Sequence, residues 1–251
     1  MTPHSLTLAA LIAAALATQA AAQEGWGLAA DIGLGAEVEP DWLGSSDMET
    51  SPWIIFRNFD VMAPGQDATQ DGSSDGFRIG PSLNWRGGRD ADDADALAGL
   101  DDVDGTVELG VRAHYTQGAA SGYVVARKGL GGHNGWAGSV GARYRIAPSD
   151  RLTLWPGIEG KFGDDRFMRT FFGVNADESA RSGYAEYNPS GGFYAVAAKL
   201  EGRYALTPSL ALVGEAEYGK LVGDAADAPF IEEKSQPAVR MGIVHRFNLR
   251  F

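Results

Sequence analysis

What most limits the fold of this chain is a run of segments in which apolar side chains recur at every second position. The opposite parity carries glycine and charges of both signs. The stretch 238–251 shows it best: Val239, Met241, Ile243, His245, Phe247, Leu249 and Phe251 share one parity, and Arg240, Gly242, Val244, Arg246, Asn248 and Arg250 share the other. Successive side chains of a β-strand point to opposite faces, so this is a strand with one mainly apolar and one basic face. The same grammar recurs in 26–38, 77–86, 107–115 and 136–146, and less cleanly in 51–61, 119–129, 151–162, 193–204 and 209–221. Each is about ten residues long, the length with which a tilted strand crosses a bilayer.

A soluble β-sandwich or small soluble barrel would place one of these faces in a dry core. Here the polar face carries Glu108, Arg112, Arg143, Glu159, Lys199, Glu201, Arg203, Glu215, Glu217 and Arg240, more charge than such a core tolerates. In a membrane barrel the faces exchange roles, with the apolar one in lipid and the charged one paired across a hydrated lumen. Trp136 and Tyr144 lie eight residues apart on one face, as two interfacial girdles would. The 34 glycines are about twice the usual share. The expectation is an all-β, transmembrane antiparallel up-and-down β-barrel with an even number of strands. Ten are favoured, and twelve result if 167–174 and 230–234 are also strands. In such a barrel 238–251 is the closing strand, and Phe247 and Phe251 are the expected handle for barrel assembly.

The first residues suit export. Residues 6–17 form an apolar run of twelve, followed by Ala20, Ala21 and Ala22. This reads as a signal peptide over 1–22, cleaved before Gln23, although its start lacks Lys and Arg. The barrel domain is then 23–251. No later stretch has the length and apolarity of a transmembrane helix. Cysteine is absent, which removes disulfides and thiolate metal sites. The net charge of −12 lies wholly beyond residue 22, and 90–104 (DADDADALAGLDDVD) holds seven aspartates and no base. Such a balance argues against nucleic acid as a partner.

Short connections with Pro and Ser at 146–151 and 205–209, and Gln117-Gly118, are turns of the periplasmic type. With both termini on that side, 39–50, 87–104, 130–134, 163–191 and 222–237 lie outside, and one long periplasmic link remains at 62–76. Residues 175–182 suit a short helix started by Asn175 or Asp177 and folded into the mouth. Ten to twelve strands enclose a narrow interior, whereas open porins use sixteen or more. A plugged or very narrow pore follows.

Six segments in order resemble the MipA/OmpV family of outer-membrane barrels over roughly 33–251. They are 39–46 (EPDWLGSS), Gly80-Pro81 with 85–89 (WRGGR), 97–104 (LAGLDDVD), 163–174 (GDDRFMRTFFGV), 180–184 (ARSGY) with Tyr187, and 221–231 (LVGDAADAPFI). The motif residues are Pro40, Trp42, Gly44, Ser45, Asp164, Asp165, Phe172, Gly173, Ser182, Gly183 and Pro229. The chain departs from the family pattern at Trp42, Phe167 and Phe171, where the family tends to Tyr, and at Ala228, where Ser is common. The resemblance implies a cell outer membrane location in a Gram-negative bacterium, with outer-membrane lipid as surroundings. It also implies a binding and scaffolding role toward periplasmic peptidoglycan-remodelling enzymes, a lytic transglycosylase and a peptidoglycan synthase. It supplies no catalytic residues.

No other chemistry stands out. Asp102, Asp104 and Gly105 form a fragment of a calcium loop, with Val111 where its Glu belongs. His114, His133 and His245 lack metal-ligand spacing. Ser45, Ser46, Asp47 and His133 fall in predicted outer loops without a nucleophile-elbow motif, and 129–135 is a glycine-rich turn. The expectation is a non-enzyme with neither cofactor nor metal, in which 62–76 is the candidate docking element for the enzymes, although its composition favours a flexible linker. The alternative is a narrow channel for small solutes or ions.

Overall fold

The computed structural model describes residues 26–62 and 75–251, without the side chains of 60–62. The expected signal peptide over 1–22 and most of the link 62–76 lie outside these residues. Among the described residues there are ten strands: β1 (Gly27–Pro40), β2 (Met48–Met62), β3 (Gly76–Arg86), β4 (Thr106–Gln117), β5 (Ala120–Gly131), β6 (Trp136–Tyr144), β7 (Leu152–Gly163), β8 (Gly192–Ala205), β9 (Leu210–Leu221) and β10 (Ser235–Arg250). All pairings are antiparallel, in the order β2-β1-β10-β9-β8-β7-β6-β5-β4-β3. The all-β up-and-down fold and the count of ten agree with the alternation.

Neither candidate for an eleventh or twelfth strand is one. Segment 167–174 begins within a helix, α1 (Asp165–Phe172). Its apolar side chains at 167, 168, 171 and 172 fall on one helical face, and Asp164 caps its start. Around Phe230 the chain makes no ladder, because the Glu232 and Glu233 N–H groups both donate to the Gly44 carbonyl, at 2.9 Å each.

The sheet is strongly curled. Glu201 on β8 accepts from Arg57 on β2 at 2.9 Å and from Arg143 on β6 at 3.0 Å. Along the ladder β2 and β8 are four strands apart, which in a flat sheet is about 19 Å and beyond the reach of these side chains. The outward parity is apolar and unshielded: Ile54 is 76% exposed and Met241 68%, and Leu34, Ile79, Val111 and Ile158 lie in the same belt. An apolar surface this extensive is stable only in lipid.

The ladder stops between β2 and β3, which no strand pairing joins among the described residues. An irregularity precedes the seam on β2. The β1–β2 register shifts between Ala29 and Asp31, opposite Asn58, whose φ is 52°. Such a bulge bends its strand locally. The two end strands still approach each other, since a Cβ built on Gly80 would lie 3.6 Å from the Phe59 carbonyl oxygen.

Candidate functional site

The five connections β1–β2, β3–β4, β5–β6, β7–β8 and β9–β10 all leave the same end of the sheet and fold together into a cap. The opposite end carries the turns 118–119, 145–151 and 206–209 beside the link from β2 to β3, and there the Phe251 N–H donates to the Trp26 carbonyl at 3.0 Å. Helix α1 is the centre of the cap. Asp164 accepts from the Phe167 N–H at 2.8 Å. Burial raises the Asp164 pKa, but the amide bonds from Phe167 and Trp136 outweigh it and hold the carboxyl below its ordinary value. With its first turn fixed, α1 turns Phe167, Met168, Phe171 and Phe172 into the mouth, where all four are buried. Leu97, Leu100 and Val103 from the aspartate-rich loop join them, with Trp42, Val174, Ala225 and Phe230 from the other connections and Tyr194 and Leu221 from the strand ends.

A second helix, α2 (Ala176–Ser182), ties two of these loops together. It begins with a capping box between Asn175 and Glu178 and ends on Gly183 in the left-handed region, at φ 79°. The buried Glu178 accepts from its own capping amide, Asn175, at 2.8 Å and from the Asp101 N–H at 3.0 Å. Arg181 pairs with Asp101 as well. The predicted helix over 175–182 is therefore present, and it holds the aspartate loop. A short α3 (Gly223–Ala226) adds Ala225 and Ala226 to the core.

Beneath the cap lies a buried polar knot. The Arg86 guanidinium sits 5.1 Å from the Phe167 ring centroid and 5.6 Å from that of Phe171, and its Nε donates to Glu108 at 2.7 Å. The same Glu108 Oε1 lies 3.1 Å from His133 Nε2, and Asn84 donates to Oε2 at 3.0 Å. His133, placed by its sequence position in an outer loop, is fully buried and meets Phe167 edge-on at 5.2 Å. Arg89 crosses the cap, donating to the Phe171 carbonyl at 3.2 Å with its guanidinium 5.1 Å from the Phe230 centroid. Burial draws its pKa below the ordinary value, against the pull of Glu178, Asp101 and Asp102.

The motif residues gather in this cap as its turns and caps. Pro40 ends β1. Trp42 is buried with its ring 5.9 Å from that of Phe230. Gly44 adopts φ 114° and donates to Gln236 at 3.1 Å; an added Cβ would collide with Ile231. Ser45 is buried and its Oγ accepts from the Asp47 N–H at 3.0 Å. Asp165 accepts from the Gly191 N–H at 2.6 Å. Phe172 is core, and the Gly173 N–H closes α1 on the Arg169 carbonyl. The Ser182 hydroxyl donates to the Glu178 carbonyl at 2.7 Å, and Pro229 separates the buried Ala228 and Phe230. Phe247 and Phe251 stand apart, at the other end of the barrel.

No catalytic arrangement forms from these groups. Among the described residues no hydrogen bond joins a serine to His133, and Ser46 instead donates to Glu232 at 3.1 Å. Nor, among them, do three or more His, Asp or Glu side chains converge as metal ligands. The aspartates hold their own loop: Asp102 accepts from the Ala91 N–H at 2.8 Å and Asp90 from the Asp92 N–H at 3.1 Å.

Inside the barrel two charged layers follow one another. Nearer the cap, Lys199 lies 3.3 Å from Glu215, 3.6 Å from Glu217 and 3.7 Å from Glu159. Lys161 pairs with Glu217, and Arg240 bonds Glu37 at 2.7 Å and Glu215 at 2.8 Å. Nearer the turn end, Arg203 bonds Asp31 at 2.8 Å, Arg246 lies 3.3 Å from Asp31, and Glu201 holds Arg57 and Arg143. The expected pairing of inward Arg and Glu across the lumen is thus realised, and the ion pairs span the bore.

Comparison with known proteins adds a family. A family model described as "MltA-interacting protein MipA" matches residues 32–247. The MltA-interacting protein of Escherichia coli (strain K12) is 28% identical over 149 residues, 59% of this chain and 59% of that protein, and the one from Shigella flexneri gives the same values. The alignment thus spans less than two thirds of these relatives' length. The solved outer membrane protein OprG from Pseudomonas aeruginosa covers 90% of this chain and 97% of that chain, at 11% identity and a TM-score of 0.29. At that score the fold rests on the ladder described above.

Proposed function

This chain belongs to the MltA-interacting protein MipA family, and from that premise we propose that it is an outer-membrane barrel that binds and scaffolds periplasmic peptidoglycan-remodelling enzymes. The barrel sits in the outer membrane with its cap facing out and its turn end and termini facing the periplasm. The observation that carries the reading is the sealed mouth. Among the described residues an apolar core fills one end and ion pairs cross the bore, which supports work at the periplasmic face over bulk transport. A lytic transglycosylase is the partner the relatives' name points to, and a peptidoglycan synthase would be its counterpart in a shared complex.

The docking element proposed from sequence, 62–76, is the longest connection at the turn end. The test is a pull-down from outer-membrane extracts using the full barrel and a deletion of 63–74 that still migrates as a folded barrel. Retention of the transglycosylase by the full chain and its loss in the deletion supports docking there; retention by both moves the contact elsewhere on the barrel. No retention by either refutes the scaffold. The competing reading, a narrow channel, draws on the charged lumen. Stable, ion-selective conductance of the wild type in planar bilayers would establish that reading instead.

A further inference from the structure

The lower charged layer is not balanced. Glu201 Oε2 accepts from both Arg57, at 2.9 Å, and Arg143, at 3.0 Å, so one carboxylate oxygen serves two guanidiniums. Arg112 on β4 lies in the same layer, where its guanidinium feels Arg143, Glu201, Tyr123 and Arg57, in that order. Its guanidinium lies 4.2 Å from the Tyr123 ring centroid. Among the described residues, no carboxylate forms an ion pair with it, and no acceptor takes a hydrogen bond from its side chain. The Tyr123 hydroxyl that could have turned toward it donates to Glu159 at 2.6 Å.

A guanidinium carries five N–H donors in a rigid fork. The Tyr123 ring occupies its face and leaves the edge, where those donors project, without a protein acceptor. Three guanidiniums around one carboxylate concentrate positive charge at this level of the barrel. In a narrow, ion-paired lumen such repulsion is screened less than in bulk water. The three guanidiniums come from β2, β4 and β6, which are fixed by the ladder, so they cannot disperse. The cap closes the other mouth, which leaves the turn end as the way in.

We propose that Arg112, flanked by Arg57 and Arg143, forms a binding site for a small doubly charged oxyanion of the phosphate type inside the periplasmic half of the barrel. The anion bridges the forks of the three arginines, supplies the acceptors Arg112 lacks and cancels the excess charge. Planar, bidentate recognition of this kind is what arginine does better than lysine.

The test uses the refolded full-length barrel in detergent, with inorganic phosphate as the probe, titrated calorimetrically at constant ionic strength against acetate and chloride. Phosphate is expected to bind more tightly than either. Arg112→Gln, checked for folding by its heat-modifiable gel mobility, is expected to weaken phosphate roughly 10- to 100-fold, the loss of a charge-assisted hydrogen-bond pair. Should that variant not refold, crystals of the wild type soaked in selenate decide the matter, because the anomalous peak must lie within hydrogen-bond distance of the Arg112 guanidinium. Absence of phosphate binding, equal binding by Arg112→Gln, or selenate seated only elsewhere overturns the site.

Discussion

Replacing Phe167 with Ala should open the cap while leaving the barrel intact. Phe167 is fully buried. Its ring lies 4.8 Å from Phe171, 5.0 Å from Tyr194 and 5.2 Å from His133, with the Arg86 guanidinium 5.1 Å away. Removing a buried Phe costs about 3–5 kcal/mol in lost transfer energy and residual cavity. All of these partners lie in the cap or at the mouth, so the loss falls on the local opening of the cap. At about 1.4 kcal/mol per decade, the open population rises by roughly two to three and a half orders of magnitude. Amide hydrogen exchange in detergent reads this directly: protection in 165–182 should fall by that factor, while β4, β9 and β10 keep theirs. If protection falls equally in cap and strands, the cap is not a separate unit. If it does not fall at all, the core argument fails.

Further outcomes follow from the same geometry. The depressed Asp164 pKa stabilises the folded cap above the unfolded carboxylate value of about 4, and that contribution is lost as pH falls through the lower folded value. The exchange protection of α1 in the wild type should therefore drop with acid across that window, and in Asp164→Ala it should be lower at neutral pH and flat there. Glu178→Ala removes two hydrogen bonds from backbone amides to one buried carboxylate and should cost about 1–3 kcal/mol; the aspartate loop 95–103 should lose protection together with α2, and unchanged exchange there would show that Glu178 does not join them. Gly44→Ala, forced to a positive φ against Ile231, should lower the cap's unfolding temperature without changing barrel assembly, as heat-modifiable mobility would report. Deleting Phe251 should slow insertion into membranes with little change in the melting of inserted protein; normal insertion kinetics would remove its role as an assembly handle.

The strands could be read because a membrane barrel writes its two faces into every segment: Ile54 or Met241 outward, Arg57 or Arg240 inward. The cap was less legible. In 167–174, Met168, Thr170, Phe172 and Val174 mimic alternation, while Phe167, Met168, Phe171 and Phe172 describe a helical face; eight residues are too few for periodicity to decide. The signal that could have settled it was Asp164, an N-cap residue just before the run. The partners of Leu97, Leu100 and Phe230 could not be read at all, since loops distant in sequence meet only once the barrel has brought their ends together. The imbalance at Arg112 is of the same kind: alternation places it inside, but only the curl shows that Glu201 is already taken.

The pairing of β1 with β10 has a kinetic consequence. Gly27 lies opposite Arg250, so this ladder joins the two ends of the described chain, whereas the neighbouring hairpins close over a few residues. The entropy of closing so long a loop exceeds that of a ten-residue hairpin by roughly 3 kcal/mol, and such distant contacts slow folding. The β1–β2 hairpin must therefore wait, with its apolar face unsatisfied, until β10 arrives. Assembly is committed last at the strand pair that carries Asp31 and Arg246, and a chain stalled before that step exposes the edges of β1 and β10 in addition to those of β2 and β3.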